Sequence, residues 1–330
     1  MILAGDVGGT KTLLALYARA SGLRSPQFEQ RYASVEFADF ARLLARFFDD
    51  AAAALGVRAR VARACFGIAG PVLGDRVRVT NLPWEVDARA LADAFGIERV
   101  RLLNDFAAAA QGVEALGDED LVTLQPGEPL AEAARVVLGA GTGLGVAYLV
   151  AERAGYRVVP GEGGHAGFAP ADAEQAALWR YLHADGERVE QEHVLSGAGL
   201  ARVYEFLRAS GRHAESARVA REIAEGDAAA AISRGALELG DPLASAALDL
   251  FVRCYGTAAG DHALAVVARG GVYVTGGIAP KILPRLAAGG FVAAFNAKGD
   301  FAGLMRRIPV RVVTNEKLGL IGAAFCAARA

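Results

Sequence analysis

The sequence predicts an α/β protein of two lobes, and three features point that way. At 330 residues the chain exceeds the roughly 100–150 residues over which a single core usually extends. A glycine-rich strand–turn–strand stands near the amino end, at residues 5 to 12, and a second one stands near the middle, at residues 139 to 145. Around both, apolar residues switch between strand spacing and helix spacing, the pattern of mixed layers.

The first element is a strand from Ile2 to Asp6, followed by a Val7-Gly8-Gly9-Thr10 turn and a second apolar strand from Thr12 to Ala18. Phe40, Leu43, Leu44, Phe47, Phe48, Ala51 and Leu55 recur at helical spacing and predict an amphipathic helix closed by Gly56, with a strand from Val61 to Ile68 after it. Past the turn-rich Asn81-Leu82-Pro83-Trp84, Asp87 caps a short helix that stops at Gly96. The strand from Val100 to Leu103 then ends at Asn104-Asp105.

The second half repeats the opening theme, an internal duplication. Val136-Val137-Leu138 enters Gly139-Ala140-Gly141-Thr142-Gly143, and a strand from Leu144 to Val150 leaves it. Beyond Pro170 the pattern is mainly helical, with a long helix predicted from the Asp241-Pro242 pair towards Leu264. A buried strand from Val272 to Thr275 runs into Gly276-Gly277, a helix is expected from about Pro280, and Val310 to Val313 forms the last strand.

Composition narrows the function classes. Hydrophobic residues make up 53% and charged residues 22%, ordinary for a chain that buries a core. With 35 lysines and arginines against 37 aspartates and glutamates, charge gives no reason to expect nucleic acid or an anionic membrane as partner, which leaves a neutral small substrate open. Cys65, Cys254 and Cys326 form no C-x-x-C pair, so neither a zinc site nor a disulfide framework is expected, and a reducing cytoplasm fits. The apolar stretch before Asp6 is too short for a secretion signal, and no apolar run approaches the roughly 18 residues of a membrane span.

Glycine-rich turns between strands let a phosphate approach backbone N–H groups closely. Asp6 adds a carboxylate at the mouth of the first turn, and magnesium, which favours oxygen ligands and retained waters, would be held there, through water. Lys11-Thr12 does not complete a P-loop, because Thr10 stands where the second glycine belongs; the second turn misses the dinucleotide fingerprint, because Leu144 replaces its last glycine. Taken alone, the first hairpin is equally well a tight turn that needs its glycines for positive φ. Two such hairpins in opposite halves could instead clamp a polyphosphate, with Gly276-Gly277 against the nucleoside.

Four motifs in order, Gly5-Asp6-Val7-Gly8-Gly9-Thr10, Leu103-Asn104-Asp105, Gly139-Ala140-Gly141-Thr142-Gly143 and Pro160-Gly161-Glu162-Gly163-Gly164-His165, resemble those of bacterial glucokinases and cover nearly the whole chain. The resemblance implies the sugar kinase, actin and heat-shock chaperone superfamily: two ribonuclease-H-like lobes of the actin-like ATPase fold with an active-site cleft between them. The lobes are expected at 1–115 plus 314–330, the smaller, and 116–313, the larger and helix-rich. It further implies ATP and Mg2+ as cofactors, with Asp6, Gly8, Gly9, Thr10, Lys11, Gly141, Thr142, Gly143, Gly276 and Gly277 around the nucleotide. Asp105 is then the catalytic base, and Asn104, Asp105, Glu162, His165 and Glu192 hold glucose, whose 6-hydroxyl attacks the γ-phosphate. The related repressor, open-reading-frame and kinase (ROK) group usually carries a cysteine-rich zinc segment after its Glu-His motif; this chain has none, which places it in the zinc-free branch. A homodimer in the cytoplasm is implied as well.

Other residues read as structural. Trp84, Trp179, Tyr181 and Phe47-Phe48 are expected to pack, and Arg306-Arg307 and Asp49-Asp50 to be solvated surface. Three rival functions share the fold: a kinase for another hexose or an N-acylated amino sugar, a sugar sensor, and an actin-like filament or chaperone ATPase. No helix-turn-helix segment precedes Asp6, which speaks against a regulator, and a filament ATPase would lack the Asn104-Asp105 and Glu162 to His165 constellation.

Overall fold

The computed structural model describes residues 1–18, 23, 25–153 and 155–329. In chain order the elements of the first part are β1 (Ile2–Val7), β2 (Lys11–Tyr17), β3 (Phe28–Ala33), α1 (Phe40–Leu55), β4 (Arg63–Ile68), β5 (Val72–Leu73), β6 (Arg76–Arg78), β7 (Glu85–Asp87), α2 (Ala88–Phe95), β8 (Arg99–Asn104) and α3 (Asp105–Gly112). Four strands follow, β9 (Leu121–Gln125), β10 (Arg135–Ala140), β11 (Leu144–Glu152) and β12 (Gly155–Gly161), and then α4 (Ala173–Leu182), α5 (Gly197–Ala209), α6 (Ala217–Glu225), α7 (Ala228–Leu237) and α8 (Pro242–Ala265). The chain closes with β13 (Gly271–Thr275), α9 (Leu283–Ala287), α10 (Gly290–Asn296), α11 (Ala302–Met305), β14 (Val310–Val313) and α12 (Leu318–Arg329). Contacts divide it into two compact units, Met1–Gly117 with Tyr156–Pro160 and Asn315–Ala330, and Asp118–Gly155 with Gly161–Thr314.

The first unit is built on a sheet of order β3-β2-β1-β4-β8, in which β1 pairs antiparallel with β2 and parallel with β4, and β4 parallel with β8. Its alternation buries Leu3, Leu14, Leu16 and Phe66 on the face that receives Phe40, Leu44 and Phe47 of α1. Phe40 meets Phe66 edge to face at 5.0 Å, and each such ring withdrawn from water contributes about 1.5–3 kcal/mol. Asp39 caps α1 by accepting the Arg42 N–H, and Gly56 ends it in the left-handed conformation, φ 69°.

The opposite face carries α3 and α12, whose crossing is close because it is made of small residues. A Cβ on Gly112 would stand 2.5 Å from the Leu318 carbonyl oxygen, and one on Gly67 of β4 would stand 2.7 Å from the Ala108 Cβ. Helix α3, which begins at Asp105, is thus pressed against both the sheet and α12.

The second unit repeats the plan in a six-stranded sheet, β12-β11-β10-β13-β14-β9. Here β10 pairs antiparallel with β11 and parallel with β13, and β13 parallel with β14, as β1 does with β2 and β4. Its core gathers around α8, capped by Asp241, which accepts the Ala244 N–H at 2.8 Å. Fully buried Tyr255 of α8 accepts the Ala140 N–H with its hydroxyl at 3.1 Å and so ties the helix to the end of β10.

Two sequence expectations need adjustment. The helix expected from about Pro280 begins at Leu283, because Ile278 N–H is bonded to the Ala140 carbonyl and residues 277–282 turn before Pro284 can enter the first helical turn. Tyr181 is 42% exposed and does not pack inside, whereas Trp84 is buried and donates its indole N–H to the Phe37 carbonyl at 3.1 Å. Arg306 and Arg307 are both exposed, as expected of a solvated pair, and Arg307 forms a surface ion pair with Glu128 at 2.8 Å. No helix among the described residues is long and apolar enough to cross a membrane.

Candidate active site

In the first unit the β1–β2 turn is fixed from within. Gly8 N–H donates to the Lys11 carbonyl at 3.0 Å, and Ser34 seals the turn by donating its hydroxyl to the Gly8 carbonyl at 2.8 Å and its N–H to that of Thr10 at 3.0 Å. Buried Thr12 shares a 2.9 Å hydrogen bond with Ser34. Gly8 therefore shapes the turn, and Gly9, Thr10 and Lys11 form its tip, with Thr10 and Lys11 exposed. A Cβ on Gly9 would lie 2.9 Å from the Thr80 carbonyl oxygen, so only glycine lets the 80–81 segment come this close.

Asp6 and Asp105 stand at the carboxyl ends of parallel strands, Asp6 near the end of β1 and Asp105 immediately after β8, with β4 between. Burial pushes the Asp6 carboxyl up to about 6, the negative charge of Asp105 pushes in the same direction, and Lys11 opposes both. The Asp6 carboxylate also rests against the first turn of α12, where a Cβ on Gly319 would lie 3.2 Å from it.

Asn104, expected at the sugar, has a structural part in the fold. Its side-chain oxygen caps α3, accepting from Phe106 N–H at 3.0 Å and Ala107 N–H at 3.1 Å, and its amide donates to the Gly70 carbonyl at 3.3 Å. The cap sets the angle at which Asp105 leaves the strand. Asp105 accepts the Phe106 N–H at 2.7 Å through one carboxylate oxygen.

In the second unit the β10–β11 turn is closed by Gly141 N–H, which donates to the Gly143 carbonyl at 2.8 Å, and is anchored by Gly197 N–H at the start of α5, which donates to the Gly141 carbonyl at 2.9 Å. Thr142 is exposed at its tip. Glu192 reaches this turn rather than standing apart from it: Leu144 N–H donates to its carboxylate at 2.8 Å, and a side chain on Gly143 would collide with that carboxylate. Gly276, at φ 87°, lies against the Ala140 backbone, where a Cβ would meet its carbonyl carbon at 2.9 Å; Gly277 beside it faces open space.

Glu162 and His165 bracket a short 3-10 turn, Gly163–His165, laid on β11. A Cβ on Gly163 would stand 2.8 Å from that of Val146, so the glycines bring this loop down onto the strand. His165 Nδ1 is 2.7 Å from a Glu190 carboxylate oxygen. That hydrogen bond, reinforced by the charges of Glu192, Glu190 and Glu162, holds the imidazole above the usual histidine value, and Glu190 is correspondingly lowered. Exchange of Glu190 for glutamine is expected to move the His165 titration midpoint down, measured by NMR of the ring nitrogens; an unmoved midpoint would show that the pair is not formed in solution.

Sequence reasoning missed Glu190 and the Thr80-Asn81 segment. Glu190 is brought to His165 by backbone pairing, Gly167 with Glu190 and Gln191 N–H to the Ala166 carbonyl at 2.9 Å, which no local pattern announces. Asn81 did carry a signal, standing in a turn-rich run with the left-handed conformation asparagine tolerates, φ 64°. Thr80 and Asn81 border a cavity of ≈ 570 Å³ that is also lined by Pro71 and Arg78.

The sequence profile of the glucokinase family matches residues 3–330. The chain belongs to the glucokinase family. A glucokinase of Synechocystis sp. is 45% identical over 99% of this chain and 98% of its own length. Among solved structures, a glucokinase from an Antarctic psychrotroph is 30% identical with a TM-score of 0.86, covering 100% of this chain and 99% of that one. A glucokinase from Balamuthia mandrillaris, solved in complex with glucose, is 25% identical with a TM-score of 0.78, covering 99% of this chain and 93% of that one. The fold is therefore the two-lobed, ribonuclease-H-like fold of actin-like ATPases, and the activity is that of a glucokinase, the ATP-dependent phosphorylation of glucose.

Proposed function

We propose that the chain transfers the γ-phosphoryl group of ATP to the 6-hydroxyl of glucose with Asp105 as general base. The observation that carries this reading is the placement of Asp105 at the first position of α3, at the carboxyl end of a parallel strand, with its backbone locked by the Asn104 cap and the Gly67 contact. Asp105 takes the hydroxyl proton as the bond from O6 to phosphorus forms, and the bond from phosphorus to the bridging oxygen breaks to release ADP.

The residues proposed to hold sugar hydroxyls are Asn104, Asp105, Glu162, His165 and Glu192. Asn104 retains an amide hydrogen beyond the one given to Gly70, and with His165 Nδ1 on Glu190 the Nε2 atom is left to meet a hydroxyl, as donor when the ring is protonated and as acceptor when it is neutral. The β1–β2 and β10–β11 turns are the proposed phosphate-binding elements. Since Gly8 and Gly141 close their own turns, the donors fall to Gly9, Thr10, Lys11, Thr142 and Gly143, with Gly276-Gly277 beside the nucleoside.

Asp6 fits a magnesium ligand acting through water. It is a half-buried carboxylate raised by burial and by Asp105, the setting that a divalent cation relieves. Mg2+ bound there would neutralise charge on the phosphate oxygens.

Lobes of 1–115 plus 314–330 and of 116–313 are supported by the division of contacts after Gly117 and after Thr314, to which Tyr156–Pro160 adds a return to the first unit. Three buried free cysteines agree with a cytoplasmic setting. A homodimer follows from the family resemblance, and light scattering should give the mass of two chains.

The test of the transfer is 6-deoxyglucose, which keeps the ring hydroxyls and lacks the acceptor. It should compete with glucose and take no phosphate, and 31P NMR of the glucose product should show a 6-phosphate. Phosphorylation of 6-deoxyglucose would refute the assignment.

A further inference from the structure

The segment that presents Glu190 and Glu192 is held from below by a buried polar chain that no motif includes. Gln191, between the two carboxylates, is buried, and its side-chain oxygen lies 3.0 Å from His262 Nε2 on α8. The other ring nitrogen, Nδ1, lies 2.8 Å from the Tyr148 hydroxyl on β11. Burial pushes His262 below the usual histidine value, with Asp261 opposing weakly, so the ring is neutral. An amide oxygen can only accept, so Nε2 carries the proton and donates to Gln191, while Nδ1 accepts from Tyr148.

Three consecutive side chains thus serve three places. Glu190 bonds His165 in the 162–165 loop, Glu192 accepts the Leu144 N–H beside the β10–β11 turn, and Gln191 plunges into the core. The backbone of this segment is pinned as well, with Gln191 N–H on the Ala166 carbonyl and Leu195 N–H on the Gln191 carbonyl, both within 2.9 Å. Backbone bonds fix its path, and the rotation about that path, which aims both carboxylates, is set by buried Gln191 together with its buried apolar neighbours Val189, Val194 and Leu195.

We propose that His262, backed by Tyr148, is a positioning residue for sugar binding that aims the Glu190 and Glu192 carboxylates through Gln191. This rests on the assignment of His165 and Glu192 to the sugar. His262 touches neither substrate, so its loss should be felt in binding more than in the chemical step. Loss of a buried hydrogen bond of this kind corresponds to about a tenfold change in an equilibrium.

The test compares H262F, H262Q, Y148F and E192Q in the full chain, with steady-state kinetics for glucose and ATP and a melting curve for each. H262F is expected to raise the glucose KM about tenfold, with kcat within about threefold and a smaller change in the ATP KM. In H262Q the side-chain amide can restore both a donor and an acceptor, and most of the glucose KM should return. Y148F, which keeps the ring volume and removes only the hydroxyl, should raise the glucose KM about threefold and serves if H262F does not fold. A glucose KM within error of the wild type in Y148F, or a loss in H262F that H262Q does not recover, overturns the proposal. E192Q separates the two levels: an unchanged glucose KM there refutes the sugar-site assignment itself, whereas a raised KM in E192Q beside unchanged His262 and Tyr148 variants refutes only the relay.

Discussion

Asparagine at position 105 should lower kcat by about 10²–10⁴-fold, the range over which a positioned general base contributes, while the glucose KM moves far less. The substitution keeps the shape of the side chain and removes its capacity to take a proton. Asp105 has little freedom to be replaced functionally by a neighbour. Asn104 is committed to capping α3 and to the Gly70 carbonyl, and Asp6, the other carboxylate at this sheet edge, is turned against α12. Near-normal turnover of D105N, measured by coupled assay at saturating glucose and ATP, would remove Asp105 from the role of base.

Gly322→Ala should be the most damaging single methyl in the first unit. Its Cβ would overlap the Ala108 carbonyl oxygen and stand 2.7 Å from Gly112 N, both on α3. Helix α3 cannot retreat on its other side, where Gly67 already meets the Ala108 Cβ. Overpacking of this kind costs about 1–3 kcal/mol, and a methyl against unyielding backbone belongs at the upper end, a fall in Tm of roughly 5–10 °C. Because α3 begins with Asp105, kcat should fall as well. Gly303→Ala, where a Cβ meets nothing, is the control and should leave both unchanged. A G322A protein with wild-type Tm and kcat would mean that the α3–α12 contact is looser than described.

The duplicated hairpins were legible because both levels of signal coincide there: alternating apolar strands and turns whose glycines have no substitute, as Gly9 against Thr80 shows. Helices α1 and α8 were legible from their caps and apolar spacing. Strands β5, β6 and β7 were not, since two or three residues carry no periodicity, nor was β3, whose six residues are all at least partly exposed. Asp105, Glu162 and His165 were expected in the site from the resemblance of their motifs to the family's, since by residue type alone each reads as structural; their partners came from folding. Glu190 lies 25 residues from His165 and meets it only through the pairing of 166–168 with 189–191. The cap made by Asn104 and the contact of Glu192 with Leu144 were hidden for the same reason, since each depends on where a backbone N–H points after the chain has turned.

The most direct measurement of the central claim is hexose 6-phosphate formation from magnesium-ATP with glucose, mannose, fructose, galactose and N-acetylmannosamine in parallel, beside a control without sugar. Glucose should give by far the highest kcat/KM, and the control should be close to silent, since on the proposed mechanism the site is completed only by a hydroxyl held against Asp105. A higher kcat/KM for another sugar, or ATP turnover as fast without sugar as with it, would contradict the account.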